Sequence, residues 1–222
     1  MYFKAEKELV HVLKQTLKSR FNTGRFEIFQ EVSLGYGIAD LVISFCDNKS
    51  NVINNYLPTS RLDIIDISIF NVLNKIDFIK VDDLVNITKI NRKEIVISVD
   101  KLNQLGYIKL EDGTIIKQKE YEFPFYCNFA VEAKLKNWKN ALKQAYRYRW
   151  FAEYSYVVLD NHFSKMAICN IELFVKYNIG LATISPNGII KVYHNPTRKK
   201  PFDVRMKMLF SEYFLNNYEL NK

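Results

Sequence analysis

Two hydrophobic periods alternate along the chain, and each change of period marks an element. Leu9, Val10, Leu13 and Leu17 recur at helical spacing and predict an amphipathic helix over 4–19, with Glu6 on the same stripe. Arg25 to Val32 then alternates apolar and polar positions, Gly35-Tyr36-Gly37 interrupts, and Ile38 to Ile43 resumes. The pattern is that of a hairpin with Asp40 near the start of its second arm. Past Asn48 the texture becomes that of an Asn-rich loop. Ile65, Ile69 and Leu73, spaced by four after Pro58-Thr59-Ser60, predict a helix, and a short second helix follows over 81–85. A third begins at Asn91, where Glu94 three residues on resembles a capping box; Ile95, Val99 and Leu102 form its buried face and Gly106 ends it.

Two strand-like runs, 107–110 and 114–117, meet through Asp112-Gly113, a strong hairpin turn. Three helices followed by a hairpin predict a winged helix-turn-helix over 56–118. Beyond it, Phe129 to Lys134 reads as a strand, 138–152 as a helix with Ala141, Ala145 and Ala152 on a small-residue face, and 155–159 as a strand. A short helix over 171–177 precedes strands at 179–184 and 189–193, joined through Asn187-Gly188, and a helix over 201–218 closes the chain. Strands and helices interleave on both sides of the winged helix, so the fold class is α/β. Its expected core consists of residues 1–55 and 119–222, interrupted by an insert at 56–118.

The 222 residues suffice for a substantial core, and 48% hydrophobic with 25% charged residues excludes a disordered chain. A formal charge of +8 favours a polyanionic partner, although Lys, Asn, Ile and Tyr are abundant throughout. Cys46, Cys127 and Cys169 are odd in number and far apart, which suits buried thiols in a reducing compartment rather than zinc or redox chemistry. No apolar stretch approaches the length of a membrane span and the first residues lack a secretory h-region, so the expected location is cytoplasmic. His11, His162 and His194 are scattered without metal spacing, and GxSxG, P-loop and dinucleotide fingerprints are absent.

The chemistry-bearing residues gather around one strand. Glu132 and Lys134, two apart, share a face, while Ala133 between them offers its carbonyl. Asp40 would complete a pair of hard oxygen ligands for Mg²⁺, which is typically held by one or two carboxylates plus waters and substrate phosphate. Lys134 could then reach the attacking water or a scissile phosphate. Asp47-Asn48-Lys49 also fits acid-x-Lys but sits in a polar, turn-like loop. Asp40 and Glu132 are 92 positions apart, too far for neighbouring strands of one compact unit; without the 63 residues of 56–118, 29 remain, which suits consecutive strands.

In this order of motifs the chain resembles the PD-(D/E)XK nuclease superfamily, over roughly residues 4–45 and 120–195. Ala39 stands where the superfamily's name places proline. The resemblance implies a restriction-endonuclease-like mixed central sheet flanked by helices and an Mg²⁺-dependent nuclease, with Mn²⁺ able to substitute. Asp40, Glu132 and the Ala133 carbonyl would hold the metal and Lys134 would assist the water. Glu6, preferred to Glu8 because it faces the sheet, would support the metal shell, and Gln144 with Tyr148 would match the QxxxY pair of the following helix. The catalytic set is then Glu6, Asp40, Glu132, Lys134 and Gln144.

Lys134, Lys136, Lys139, Lys143, Arg147 and Arg149 are interleaved with Trp138, Tyr146, Tyr148 and Trp150. Such a run suits either a solvated helix face or a track for nucleic acid, in which Lys136, Lys139, Lys143, Arg147 and Tyr148 would touch the substrate. In the winged helix the third helix would present Asn91, Arg92, Lys93 and Lys101 to the major groove, although winged helices also bind proteins. The expected partner is double-stranded DNA, with the insert positioning it. The alternative is a catalytically silent, DNA-binding or regulatory protein. Homodimers are frequent in the superfamily, since two active sites make a double-strand break, but no interface is indicated.

Overall fold

The computed structural model describes residues 2–21, 26–35, 37–46 and 61–220. The chain divides into two compact units, one of residues 1–50 and 125–203, the other of residues 51–124 and 204–222. The loop triplet Asp47-Asn48-Lys49, Tyr36 and the Pro58-Thr59-Ser60 breaker lie outside the described residues.

The first unit is α/β, a mixed six-stranded sheet flanked by helices. It opens with helix α1 (Glu6–Arg20), whose first turn carries Glu6 and Glu8 and whose last carries Lys18 and Arg20, in register with the helix dipole. Strands β1 (Phe26–Ser33) and β2 (Ile38–Phe45) form the expected hairpin. The remaining strands are numbered along the whole chain: β6 (Cys127–Lys134), β7 (Tyr154–Asp160), β8 (Gly180–Ile184) and β9 (Ile190–His194). Their spatial order is β1-β2-β6-β7-β8-β9, with β6, β7 and β8 parallel and the outer pairings antiparallel.

Period-two alternation decides which layer each residue joins. Leu41, Ile43, Val131, Ala133 and Val158 pack with Leu9 and Leu13 of α1 on one face. Val157, Leu159 and Leu181 pack on the other against the helices of residues 138–148 and 171–177, through Trp138, Ala141, Leu142, Ala145 and Phe174. The first of these stops at Tyr148 rather than Ala152, where the Arg149, Trp150 and Phe151 N–H groups turn to carbonyls three residues back and tighten the last turn. The helix of residues 165–169 and the short 3-10 turn before it had no periodic signal, being too short to show one. Cys46 and Cys127 are buried as expected, whereas Cys169, at the end of that short helix, is exposed.

The second unit holds helices α2 (Ile64–Leu73), α3 (Val81–Thr88) and α4 (Arg92–Gln104) and a three-stranded antiparallel sheet. The strands are β3 (Phe78–Lys80), β4 (Ile108–Glu111) and β5 (Thr114–Lys117), in the order β3-β5-β4. Asp112 and Gly113 both adopt positive φ, 47° and 75°, as a two-residue hairpin turn of the primed type requires. Asn91 caps α4 by accepting from the Lys93 N–H at 2.8 Å, but the reciprocal capping box lies instead at Asp63 and Asp66 of α2. Ile67, Phe70, Leu73, Leu84, Ile95, Val99 and Leu102 build a single core.

Sequence periodicity assigned the last helix to the flanking core; the structure places it with the insert. Residues 204–220 run as α8, after α5 (Trp138–Tyr148), α6 (Lys165–Cys169) and α7 (Ile171–Tyr177) of the first unit. Met208 of α8 is buried in the α2–α4 core, and the buried Glu212 accepts from the Leu62 N–H at 3.0 Å and from the Tyr121 hydroxyl at 2.6 Å. A buried carboxylate needs such donors, and residues 61–124 supply them. Among the described residues no helix is long and apolar enough to cross a membrane.

Candidate active site

The candidate site forms where the β2–β6 ladder ends. Its last pair is Leu41 with Val131, and at the next position the Asp40 carboxylate, rather than a backbone carbonyl, accepts the Ala133 N–H at 2.7 Å. On the other side of β2, Gln30 and Val32 pair with Leu41 and Ala39, so Glu31 falls opposite Asp40 without a pair of its own, and its φ of 53° is an irregularity within β1. A non-glycine residue in the left-handed region is strained backbone, and such strain gathers at functional sites.

Alternation places Glu132 and Lys134 on the sheet face covered by α5. Glu132 is 1% exposed. Its two oxygens have separate partners: Oε1 meets the Lys134 ammonium at 2.9 Å, and Oε2 accepts from the Tyr148 hydroxyl. Lys134 also reaches Glu6 at 3.1 Å, so the first helix does contribute to the cluster. Glu8 does not; its carboxylate takes the Lys4 N–H at 2.9 Å, inside its own helix start.

Burial dominates the electrostatics. It pushes the Glu132 carboxyl above its ordinary range and the nearby Asp40 charge pushes it further, against the opposing Tyr148 and Lys134 contacts. Asp40 is raised in the same way, by burial first and by Glu6 and Glu31, while the Ala133 N–H and Lys134 pull it down. Burial alone would lower Lys134, but its bond to Glu132 and the charges of Glu132, Asp40 and Glu6 outweigh that and raise it. These contacts favour the protonated form of Lys134.

Tyr148 stands between two acceptors, Glu132 Oε2 and the Ile38 carbonyl at 2.6 Å, although a phenol has one proton to give. When Glu132 takes up a proton it supplies the second hydrogen bond, in keeping with its raised pKa. The phenol itself is raised far above its ordinary value by burial and by Glu132.

Two further expectations are corrected here. Tyr148, grouped with residues that touch nucleic acid, is 1% exposed and cannot stack on a base; its place is beneath Glu132. Gln144, one turn earlier, accepts from Asn140 at 2.8 Å and has no bond to the cluster. Its helical position carries it past the buried stripe of Ala141, Ala145 and Tyr148. Trp138 is likewise buried, in the core under α5.

Lys139, Lys143 and Arg147, spaced by four, form an exposed stripe on α5, and that helix contains no carboxylate. Lys136 lies over the Phe163 ring at 4.3 Å, Lys139 over Trp138 at 5.7 Å and Arg149 over Phe202 at 4.4 Å. Lys143 and Arg147 have no hydrogen-bond or ion-pair partner among the described residues.

In the second unit the four residues expected at a groove have local partners or none. Asn91 is a helix cap, Arg92 pairs with Asp82, and Lys93 is exposed. Lys101, expected beside them, is drawn inward to the buried Asp66 at 2.5 Å, where Ser98 also donates.

Several buried carboxylates, Asp66, Glu153, Asp160 and Glu212, escaped the sequence reading, and one of them lies at the sheet rim. Asp160, at the end of β7, accepts the Phe3 N–H at 2.8 Å and the His162 N–H at 2.8 Å, and so ties the start of α1 to the sheet rim. Its only sequence signal was its position between an apolar strand and the Asn161-His162 turn.

Among the described residues no group of three or more His, Cys, Asp and Glu side chains is placed to share a metal ion. The donor set, two carboxylates and a strand-edge carbonyl, is poor for zinc and compatible with Mg²⁺, which keeps waters in its shell. Asp40 Oδ1 accepts no hydrogen bond among the described residues. Comparison of the chain with protein-family models, curated proteins and solved structures returned no significant match.

Proposed function

We propose that the sheet unit is an Mg²⁺-dependent nuclease of the PD-(D/E)XK type. One observation carries the reading: residues from three separate stretches, Glu6, Asp40 and the Glu132-Ala133-Lys134 triplet, meet at a break in the sheet. Two carboxylates about 4 Å apart repel by roughly 4 kcal/mol at an effective dielectric near 20, and a divalent cation relieves that. Asp40, Glu132 and the Ala133 carbonyl are the residues that would hold it. Bound there, the cation supplies Lewis-acid polarisation of a phosphodiester oxygen.

The chain's own groups have separable tasks. Lys134, held protonated, offsets the charge that develops on the phosphate. Glu6 orients Lys134, the Ala133 N–H fixes the Asp40 carboxylate, and the Tyr148 hydroxyl sets the orientation of Glu132. The restriction-endonuclease-like fold belongs to this proposal, supported by the β1–β2 hairpin, the parallel β6–β7–β8 core and the helices on both faces. For the insert, the order of α2, α3, α4 and the β4–β5 hairpin supports a winged helix.

The charge distribution supports giving the grip on nucleic acid to the sheet unit. Residues 51–124 and 204–222 carry 13 Lys and Arg against 13 Asp and Glu, whereas residues 1–50 and 125–203 carry 19 against 11. The whole excess of +8 thus lies in the unit that holds the site. Double-stranded DNA remains the preferred substrate, bound through Lys136, Lys139, Lys143 and Arg147 rather than through Asn91, Arg92 and Lys93.

The test is incubation of the purified protein with plasmid and with labelled single- and double-stranded oligonucleotides, with Mg²⁺ or Mn²⁺. Cleavage should appear and should fall by a factor of at least about 10² in Asp40→Ala and in Glu132→Ala, the usual scale for lost transition-state stabilisation. Cleavage that is undiminished in both variants removes these residues from the mechanism. Salt-sensitive binding without products in the wild type identifies a silent nucleic-acid-binding protein instead.

A further inference from the structure

Helix α4 exposes a face that is not explained by the fold of its own unit. Ile95, Ser98, Val99 and Leu102 are buried, and the opposite side presents Lys93, Val96, Ile97, Asp100 and Gln104. Val96 is 42% and Ile97 68% exposed, at the middle of that face. Lys93 and Asp100 flank them, and neither side chain has an ion-pair or hydrogen-bond partner among the described residues. They cannot pair with each other, since seven residues of helix separate them by roughly 10 Å along the axis. A lysine in the first turn also opposes the preference of the helix dipole for acidic residues there.

The two charges and the two apolar residues are symmetric about one point. Positions 93 and 100 have the same midpoint as 96 and 97. If two such helices lie antiparallel about a twofold axis at that point, Val96 meets Ile97 of the other copy and Lys93 meets its Asp100, twice over. A twofold interface requires this kind of self-complementary surface. A nucleic-acid groove does not: Glu94 and Asp100 are acidic, and the unit as a whole is neutral.

We propose that the exposed face of α4 is a homodimer interface, occupied by the same helix of a second copy in antiparallel orientation. The inference is independent of the nuclease reading, because it uses no residue of the site. Its consequence for that reading is a particle with two sites.

Sedimentation equilibrium over a wide concentration range tests it. The wild-type chain should show a reversible monomer–dimer equilibrium. Lys93→Glu and Asp100→Lys should each weaken the dimer by roughly tenfold or more, because each replaces two attractive contacts with two repulsive ones. The double variant Lys93→Glu/Asp100→Lys should restore the wild-type dissociation constant to within a few-fold. All four positions are exposed, and circular dichroism of each variant verifies that it is folded. A monomer at every concentration overturns the proposal, as does a dimer unaffected by either single change or a folded double variant that fails to recover. Unchanged mass together with DNA affinity that falls in Lys93→Glu and rises in Asp100→Lys would make this face a nucleic-acid contact instead.

Discussion

Tyr148→Phe is the sharpest probe of how the candidate site is held, because it removes one oxygen and leaves the ring's packing intact. The hydroxyl has two acceptors, and their surroundings decide the cost. Ile38 is exposed, so its carbonyl can turn to water, whereas Glu132 at 1% exposure cannot replace the lost donor. A hydrogen bond to a charged group contributes about 1.5–3 kcal/mol, so the variant should lose roughly 2 kcal/mol at neutral pH. At about 2–4 °C per kcal/mol for chains of this size, the transition of the sheet unit should fall by roughly 4–8 °C.

The loss should also depend on pH, with a definite sign. Folding raises the Glu132 pKa, so from the unfolded value of 4.5 up to the raised folded value the native state binds more protons than the unfolded one. Stability is then fully present below that window and declines as pH rises through it. The Tyr148 bond lowers this pKa, so its removal raises Glu132 further and extends the window upward. The gap between wild type and Tyr148→Phe should therefore be smaller below pH 4.5, where only a neutral hydrogen bond is lost, and widen toward neutrality, where a charge-assisted one is lost. Thermal melts followed by circular dichroism at acidic and neutral pH measure it, with the exposed Tyr146→Phe as a control that should change little. A neutral-pH loss below about 0.5 kcal/mol, the scale of an ordinary surface substitution, would refute the reasoning. So would a gap that does not vary with pH.

Two predictions concern other parts of the sheet unit. Reversing the α5 stripe with Lys139→Glu, Lys143→Glu and Arg147→Glu should weaken DNA binding and reduce the salt dependence of log K by roughly 1 for each phosphate that is no longer neutralised. Fluorescence anisotropy against salt reads this, and an unchanged slope would return the stripe to the status of a solvated face. Gly180→Ala should destabilise the sheet, because a Cβ there would fall 2.1 Å from Cδ1 of the Tyr156 ring, its partner across the β7–β8 pair. Overpacking of this kind costs about 1–3 kcal/mol, and a denaturant midpoint equal to wild type would show that the ring moves aside freely.

What was legible in the sequence, and what was not, follows from the range of each interaction. Hydrophobic period is local, so it located α1, the β1–β2 hairpin, β6, α5, α4 and the Asp112-Gly113 turn to within a few residues. The site was partly legible for the same reason. Glu132 and Lys134 share a face by strand alternation alone, and excising 56–118 brought Asp40 within reach. Gln144 and Tyr148 show the limit of that reasoning. Four residues apart they lie on one side of a helix, yet about 40° of remaining rotation puts Tyr148 into the core under Glu132 and leaves Gln144 beside Asn140.

Periodicity also reports that a helix has a buried face without reporting which surface buries it. The α8 helix was visible as a helix, but its membership depended on Met208 and Glu212 finding partners among residues 61–124. The charge split does not depend on that reassignment: residues 56–118 carry 9 Lys and Arg against 9 Asp and Glu, residues 51–124 with 204–222 carry 13 against 13, and the sheet unit holds the entire +8 either way. Counterion release then favours the sheet unit as the surface for a polyanion, and α4, with two exposed aliphatic residues between opposite charges, is suited to a partner of its own kind. A DNA-binding winged helix would instead concentrate cations on α4, where Arg92 is paired with Asp82 and Lys101 with Asp66.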